Sequence, residues 1–405
     1  MARTLITEEE FDAQFSLAEG LVNASQPIRF NSRIFDFYIE IEPQHRELIF
    51  TDCEFVEPVL FCKGIPLVTE AQENNDQEDL FNQVETNIFS ESVWFKECEF
   101  KKQIQFDDLI FDGKFRMHDC ILKEISFRNT TFNNLADFWA TTFTEKVIFY
   151  KTDFNKTSVF SMATFNDNVL FTYALFGGKA IFARTKFKKG IDLSQTIISG
   201  NLQLFDLHFN FKKYEAKYVG EDDETYQNYI DRDAIIPLEN KVHTFQVLKK
   251  AFEDIGNYSD SILMLREEKR ALKGLVKHKL KDKNPDTNKG DKWILRLNRL
   301  SNHYRSDFRN GIWFTLGVTI VFGFLTLVFT EEFQRHFCWG CEFDKEAFTK
   351  GVKFLFNFLN PARRITYLDN FDLRFYGIAY LFDFLGRIAV GYGFYQTVQA
   401  FRKYK

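Results

Sequence analysis

The side chains that could do chemistry are few and scattered. Asp383 and Arg387 stand four apart inside an apolar stretch, so on a helix they share one side and can pair. Charges at membrane depth are costly and face a bundle interior or a watery path. The pair therefore either compensates itself or serves helix packing or ion passage. Cys338 and Cys341 form a Cys-x-x-Cys next to His336. A zinc site needs more ligands than these, and a local disulfide is open to them if they lie outside the cytoplasm. Val390–Gly393 spells Val-Gly-Tyr-Gly, the letters of a potassium-selective filter, but only twelve residues follow Gly393. A filter lies between a pore helix and a further span, so a helix face of small residues is the simpler reading. Asp107-Asp108 and Asp222-Asp223 sit in polar stretches and read as solvated pairs. The seven His are dispersed, and no P-loop, Gly-x-Ser-x-Gly or His-Glu-x-x-His occurs. Neither a catalytic set nor a cofactor or metal site is expected, and an enzyme is the least favoured class.

The elements that must position these residues begin with a beat. From Phe95 to Phe209 a large apolar residue recurs at steps of five and six, filling 22 slots, 17 of them with Phe. Neither a helix nor a plain strand has that period, and a fixed period marks a repeat architecture. Two residues before each large slot lies a smaller one, such as Cys98, Cys120, Thr130, Thr141, Thr152, Ala163 and Thr185. Positions i and i−2 share one face of an extended segment, so each repeat offers a short inward face followed by a polar corner. Phe132, Phe138, Phe143, Phe149, Phe154, Phe160, Phe165, Phe171, Phe176, Phe182 and Phe187 are then core. From Leu122 through Phe127 to Phe132 two fives follow each other, which predicts a tightened corner.

The stretch "FNDNVLFTYALFGGKAIFARTKF" resembles the pentapeptide-repeat family over roughly Phe89–Phe209. The resemblance implies an all-β, right-handed quadrilateral β-helix with four repeats per coil, about five and a half coils in all. Phe50, Phe55 and Phe61 keep the same step, which predicts a separate first coil over 28–67. An acidic insertion loop at 68–88 divides it from the main solenoid at 89–212. Residues 1–27 are an N-terminal helical segment, with Thr7 and Glu10 spaced as a capping box. The first fifteen residues lack an apolar signal core, so the repeats are expected in the cytoplasm.

Beyond a linker at 213–240, the apolar spacing of 241–281 predicts a helical hairpin broken at Gly256-Asn257. This hairpin resembles the connector of membrane-attached pentapeptide-repeat proteins, some of which carry a channel-like two-span segment. A basic juxtamembrane linker follows at 282–310. Net charge is −5 overall, yet residues 266–309 hold 14 Lys or Arg against 6 acids. The twenty uncharged residues 311–330 are long enough to span a bilayer, and 375–401 is a second span interrupted by Asp383 and Arg387. Between them, 331–374 contains an interfacial or re-entrant helix at 347–360. Basic residues precede the first span and form the tail 402–405, so both termini are expected in the cytoplasm of a multi-pass inner-membrane protein. Gly386, Ala389, Gly393 and Thr397 form a small-residue face for helix packing, within or between subunits of a homo-oligomer. Partners are then the lipid bilayer and an unidentified cytoplasmic protein. Residues 89–209 carry 15 basic and 14 acidic side chains, which argues against a DNA-mimicking solenoid and against nucleic acid. The favoured function is a membrane-anchored interaction scaffold; the alternative is an oligomeric channel-like or membrane-perturbing protein gated by its repeat domain.

Overall fold

The computed structural model describes residues 3–16, 26–64, 87–220, 222–285, 287–331, 345–363 and 377–401. They form two compact units, Met1–Ile255 and Gly256–Lys405.

The first unit is a parallel β-solenoid over residues 28–209. Its short strands lie in four sheets, one of them a single column eight strands deep. Partners in that column sit one coil apart, as in Phe115↔Ala136 and Ala136↔Ser158. Alternation does the sorting: in Val93–Lys96 and Ala180–Ala183 the first and third residues are buried and the others face outward. Every Phe from Phe132 to Phe187 on the repeat beat is almost fully buried. Rings stack along the axis, Phe143 on Phe165 at 4.6 Å and Phe149 on Phe171 at 4.8 Å. Neighbouring columns meet edge-on, as Phe149 and Phe160 do at 5.8 Å, so both favoured aromatic geometries are used.

The small slot has its own logic. At two corners of the coil a non-glycine residue takes positive φ, for example Asp119, Ala140, Met162 and Arg184 on one, Asp108, Asn129 and Lys151 on the other. The residue after it turns inward, and where it is Thr or Cys it donates to a carbonyl of the coil below. Thr130 Oγ1 donates to Phe106 O at 2.7 Å, Thr152 Oγ1 to Phe127 O at 2.7 Å, and Cys120 Sγ to Phe95 O at 3.6 Å. Thr and Cys suit the slot as small side chains that bring a donor, while Ala163 and Ala174 fill it without one.

Several expectations are corrected. The first coil is not separate: residues 28–64 supply nearly two coils that stack directly on the rest, Leu48 pairing with Val93, and Phe30, Phe50 and Phe95 forming one ring column. Most of the acidic insertion lies outside the described residues. The double five does not tighten a corner. The strand Ile121–Ser126 runs unbroken, and the preceding strand Glu99–Gln105 takes up the extra residue as a bulge between Phe100 and Gln103. Residues 213–240 are not a bare linker. Asn168 donates to Ala234 O at 2.9 Å and Lys146 to Arg232 O at 2.6 Å, and Tyr214, Ile230 and Ile236 are buried.

Both ends of the solenoid are covered. The helix Glu8–Ser16 (α1) opens with the Thr7–Glu10 box, two reciprocal bonds of 3.2 Å, and lays Phe11 on Phe30 at 5.2 Å. At the other end, after the short helix Asp223–Asn228 (α2), the helix Leu238–Asp254 (α3) places Phe245, Leu248 and Phe252 in the core. Asp192, buried in the last coils, accepts from Asn240 at 2.9 Å and Thr244 at 3.2 Å. Burial holds the Tyr214 hydroxyl well above its ordinary pKa, with the Asp192 charge adding to the shift.

In the second unit the described helices are Tyr258–Lys281 (α4), Lys289–Asn302 (α5), Phe308–Val328 (α6), Lys345–Phe358 (α7) and Gly377–Phe401 (α8). Gly256 at φ +75° and Asn257, whose side chain accepts from Asp260 N, end one helix and start the next. The expected basic linker 282–310 is largely helix, opened by an Asn288–Asp291 capping box. Among the described residues one helix, α6, is long and apolar enough to cross a membrane.

Candidate functional site: a buried charge cluster between small-residue helices

α6 and α8 approach closely because their facing residues are small. A Cβ on Gly311 would lie 2.6 Å from Thr397 Oγ1, and one on Gly393 would lie 2.4 Å from Thr315 Oγ1. Gly386 faces the Phe358 ring, whose nearest atom would be 2.4 Å away. Three of the four residues expected on the small face thus meet a neighbouring helix, and Ala389, between them, is half-buried. The threonines on α6 turn their hydroxyls back on their own helix, Thr315 to Gly311 O and Thr319 to Thr315 O at 2.8 Å each. α7 seats Phe354 and Phe358 against Val390 in a small apolar core, so it is packed on the other helices rather than lying free.

Asp383 sits at the head of this packing, 3 % exposed. Arg387 Nε donates to its Oδ2 at 2.9 Å, the i, i+4 pairing expected on one helix side. A third charge joins them. Arg363 donates to Asp383 Oδ1 through Nη2 at 2.6 Å and Nε at 3.2 Å. The same guanidinium caps the end of α7, donating to Phe358 O at 2.7 Å and Asn360 O at 3.2 Å, where the helix dipole favours a cation. It also lies 3.9 Å over the Phe358 ring. Arg387 closes the loop by donating to Arg363 O at 2.7 Å. The cluster ties α7, the turn after it and α8 into one piece.

A second polar clamp joins α5 to α8. Tyr392 donates to Asn298 Oδ1 at 2.9 Å, and Asn302 donates to the Gln396 carbonyl at 3.1 Å. Sequence reasoning missed Arg363, Asn302, Tyr392 and Gln396. The polar Gln396 and Gln399 inside the apolar run were a signal that could have pointed here.

The remaining expected residues fall elsewhere. Val390–Gly393 lies inside the continuous helix α8. Cys338, Cys341 and His336 lie outside the described residues. Asp107 is not merely solvated: it accepts from Arg128 N at 2.9 Å and from Ser126 Oγ, bridging two coils. Among the described residues no group of His, Cys, Asp and Glu could hold a metal ion. On the solenoid wall, Trp94, His118 and Trp139 form an edge-on ladder with spacings of 6.0 and 5.9 Å, and Arg116 lies over Trp94.

Comparison with family models, with curated proteins and with solved structures finds no match.

Proposed function

We propose that this chain is a membrane-anchored scaffold of the pentapeptide-repeat type, whose β-solenoid binds a protein partner in the cytoplasm. One observation carries the membrane part of this reading. The helical unit is partitioned inside out: α6 buries Gly311, Thr315, Thr319, Gly323 and Thr326 while leaving Trp313 70 % exposed, along with Ile312, Ile320 and Val321. α8 likewise buries Asp383, Gly386, Gly393, Gln396 and Gln399 and turns Leu381, Phe384, Ile388 and Val398 outward. Large apolar side chains outside and small or polar ones between helices suit a lipid solvent, and this favours α8 as a second span. Both ends of the solenoid are capped, so its walls are the surface left for a partner. The Trp94–His118–Trp139 ladder supplies residue types enriched at interfaces.

Topology is tested with single cysteines near Thr4 and at Lys405. An impermeant maleimide should label neither in intact cells and both after lysis; labelling of one end only in intact cells would mean a single span. The charged interior supports one competing reading, an oligomeric channel-like protein. Purified chain in liposomes should pass no ions if it is a scaffold. Ion flux that depends on Asp383 would favour the channel instead.

A further inference from the structure

α5 sorts its side chains into three strips. Leu295, Ser301 and Asn302 are buried, and the bonds from Asn302 and Tyr392 to the facing helix fix the roll of α5 about its axis. Trp293, Leu297 and Leu300 follow at i, i+4 and i+7, which puts them on one side of a helix. All three are exposed, Trp293 by 66 %, and Ile294 beside them is exposed too. Lys292, Arg296 and Arg299 repeat the same spacing and form an exposed strip alongside. The two strips touch, since Arg296 lies 5.6 Å over the Trp293 ring. The acid of this helix, Asp291, is engaged in the N-terminal capping box.

An apolar strip containing Trp beside a purely cationic strip suits an anionic bilayer surface. The rings and aliphatic chains reach the acyl boundary, and the basic heads stay with the phosphates. Position along the chain agrees: α5 ends at Asn302 and the apolar helix α6 starts at Phe308. We propose that α5 lies in the headgroup layer of an anionic membrane leaflet. Trp293, Leu297 and Leu300 enter the acyl boundary there, and Lys292, Arg296 and Arg299 contact lipid phosphates. The proposal rests on the membrane reading above and adds a lipid preference to it.

The test uses the full chain with its accessible native cysteines changed to Ser. A nitroxide is attached at Leu297→Cys, at Ile320→Cys on α6, or at Lys156→Cys on an exposed solenoid corner. Each is reconstituted into vesicles of phosphatidylcholine with phosphatidylglycerol and of phosphatidylcholine alone. Power-saturation EPR reads collision with oxygen and with a water-soluble nickel chelate. In anionic vesicles the Leu297→Cys label should be shielded from nickel, at a shallower depth than Ile320→Cys. In neutral vesicles the shielding should fall. The triple change Lys292→Gln, Arg296→Gln, Arg299→Gln should abolish it in anionic vesicles, because each basic side chain near such a surface contributes about fivefold in partitioning. The proposal is overturned if Leu297→Cys is as open to nickel as Lys156→Cys in anionic vesicles. Shielding that ignores lipid charge or survives the triple change overturns it as well, and would mean that protein covers the strip. A different failure, Ile320→Cys as open as Lys156→Cys, would remove the span itself and the membrane reading with it.

Discussion

The two units bury opposite kinds of side chain. In the solenoid, Phe fills the inside with Thr, Ala and Cys in the small slots, and most Lys, Asp and Asn face out. Along α6 and α8 of the helical unit, Gly, Thr, Gln and the charge cluster lie between helices, and Trp, Ile, Leu and several Phe face out. On the membrane reading proposed above, the difference follows from what each surface must meet. Burial of apolar area from water is the dominant stabilising term for the solenoid. It gives nothing to two helices in lipid, which instead associate by close approach and polar contacts. The same residue type should therefore matter in opposite ways in the two units.

The strongest test of that contrast compares two phenylalanines. Phe160 is buried at the middle of the ring columns, stacked on Phe138 and Phe182 at 5.2 and 4.9 Å. Phe160→Ala should destabilise the solenoid by about 3–5 kcal/mol, read as a shift of the urea midpoint. Phe384 is 59 % exposed on α8, and Phe384→Ala should leave helix packing in lipid nearly unchanged. Lys156→Ala, at a solenoid corner, should cost under about 0.5 kcal/mol. Equal losses for Phe160→Ala and Lys156→Ala would remove the assigned register.

Next comes the charge cluster. Asp383→Leu strands two guanidinium groups beside each other, and should cost about 3 kcal/mol of helical-unit stability in bilayers or micelles. Changing Asp383 and Arg387 together to Leu separates two views of the site. A self-compensating pair would tolerate the double change. The structure instead gives Asp383 a second bond partner in Arg363, so the double variant should remain destabilised. Recovery to wild-type stability would show that Arg363 adds nothing.

A smaller effect is expected at the helix crossing. Gly393→Leu drives a side chain into Thr315 and should weaken the α6–α8 contact by about 1–3 kcal/mol. Gly317, with nothing within 4 Å of an added Cβ, is the internal control: Gly317→Leu should be silent. If both behave alike, small residues are not what brings these helices together.

How much of this could be read in advance differs between the units. The Phe beat announced the solenoid because each coil repeats the same local demand, and the repeat writes that demand many times. The bulge at Phe100–Gln103 escaped because the six-residue step Phe100 to Phe106 meets the five-residue step Leu122 to Phe127 only once the neighbouring coil is in place. The packing of Tyr214, Ile230 and Ile236 escaped because it depends on a single docking event rather than a period. In the helical unit the Asp383–Arg387 spacing was local and legible. Arg363 lies twenty residues away from Asp383 and joins it only through the fold. α5 was hidden by its basic composition: counted as charge it looked like a linker, whereas its i, i+4, i+7 spacing is that of a helix.

The smallest expected effect concerns the small slot of the solenoid, and it asks whether a polar contact matters inside an apolar core. Thr152 is buried, and its hydroxyl donates to Phe127 O one coil below at 2.7 Å. Thr152→Val keeps the shape and removes the donor. The carbonyl then loses a contact that no water can replace, so a loss of about 1 kcal/mol is expected. Thr152→Cys keeps a weak donor of similar size and repeats what Cys98 and Cys120 do at the matching corner, donating to Phe50 O at 3.4 Å and Phe95 O at 3.6 Å. It should therefore cost less than the Val change. Thermal unfolding of the two variants beside the wild type measures the order. Should Val prove as stable as Cys, the recurrence of Thr and Cys at these corners would reflect size alone, and the solenoid interior would be wholly apolar in its energetics, sharpening its contrast with the helical unit.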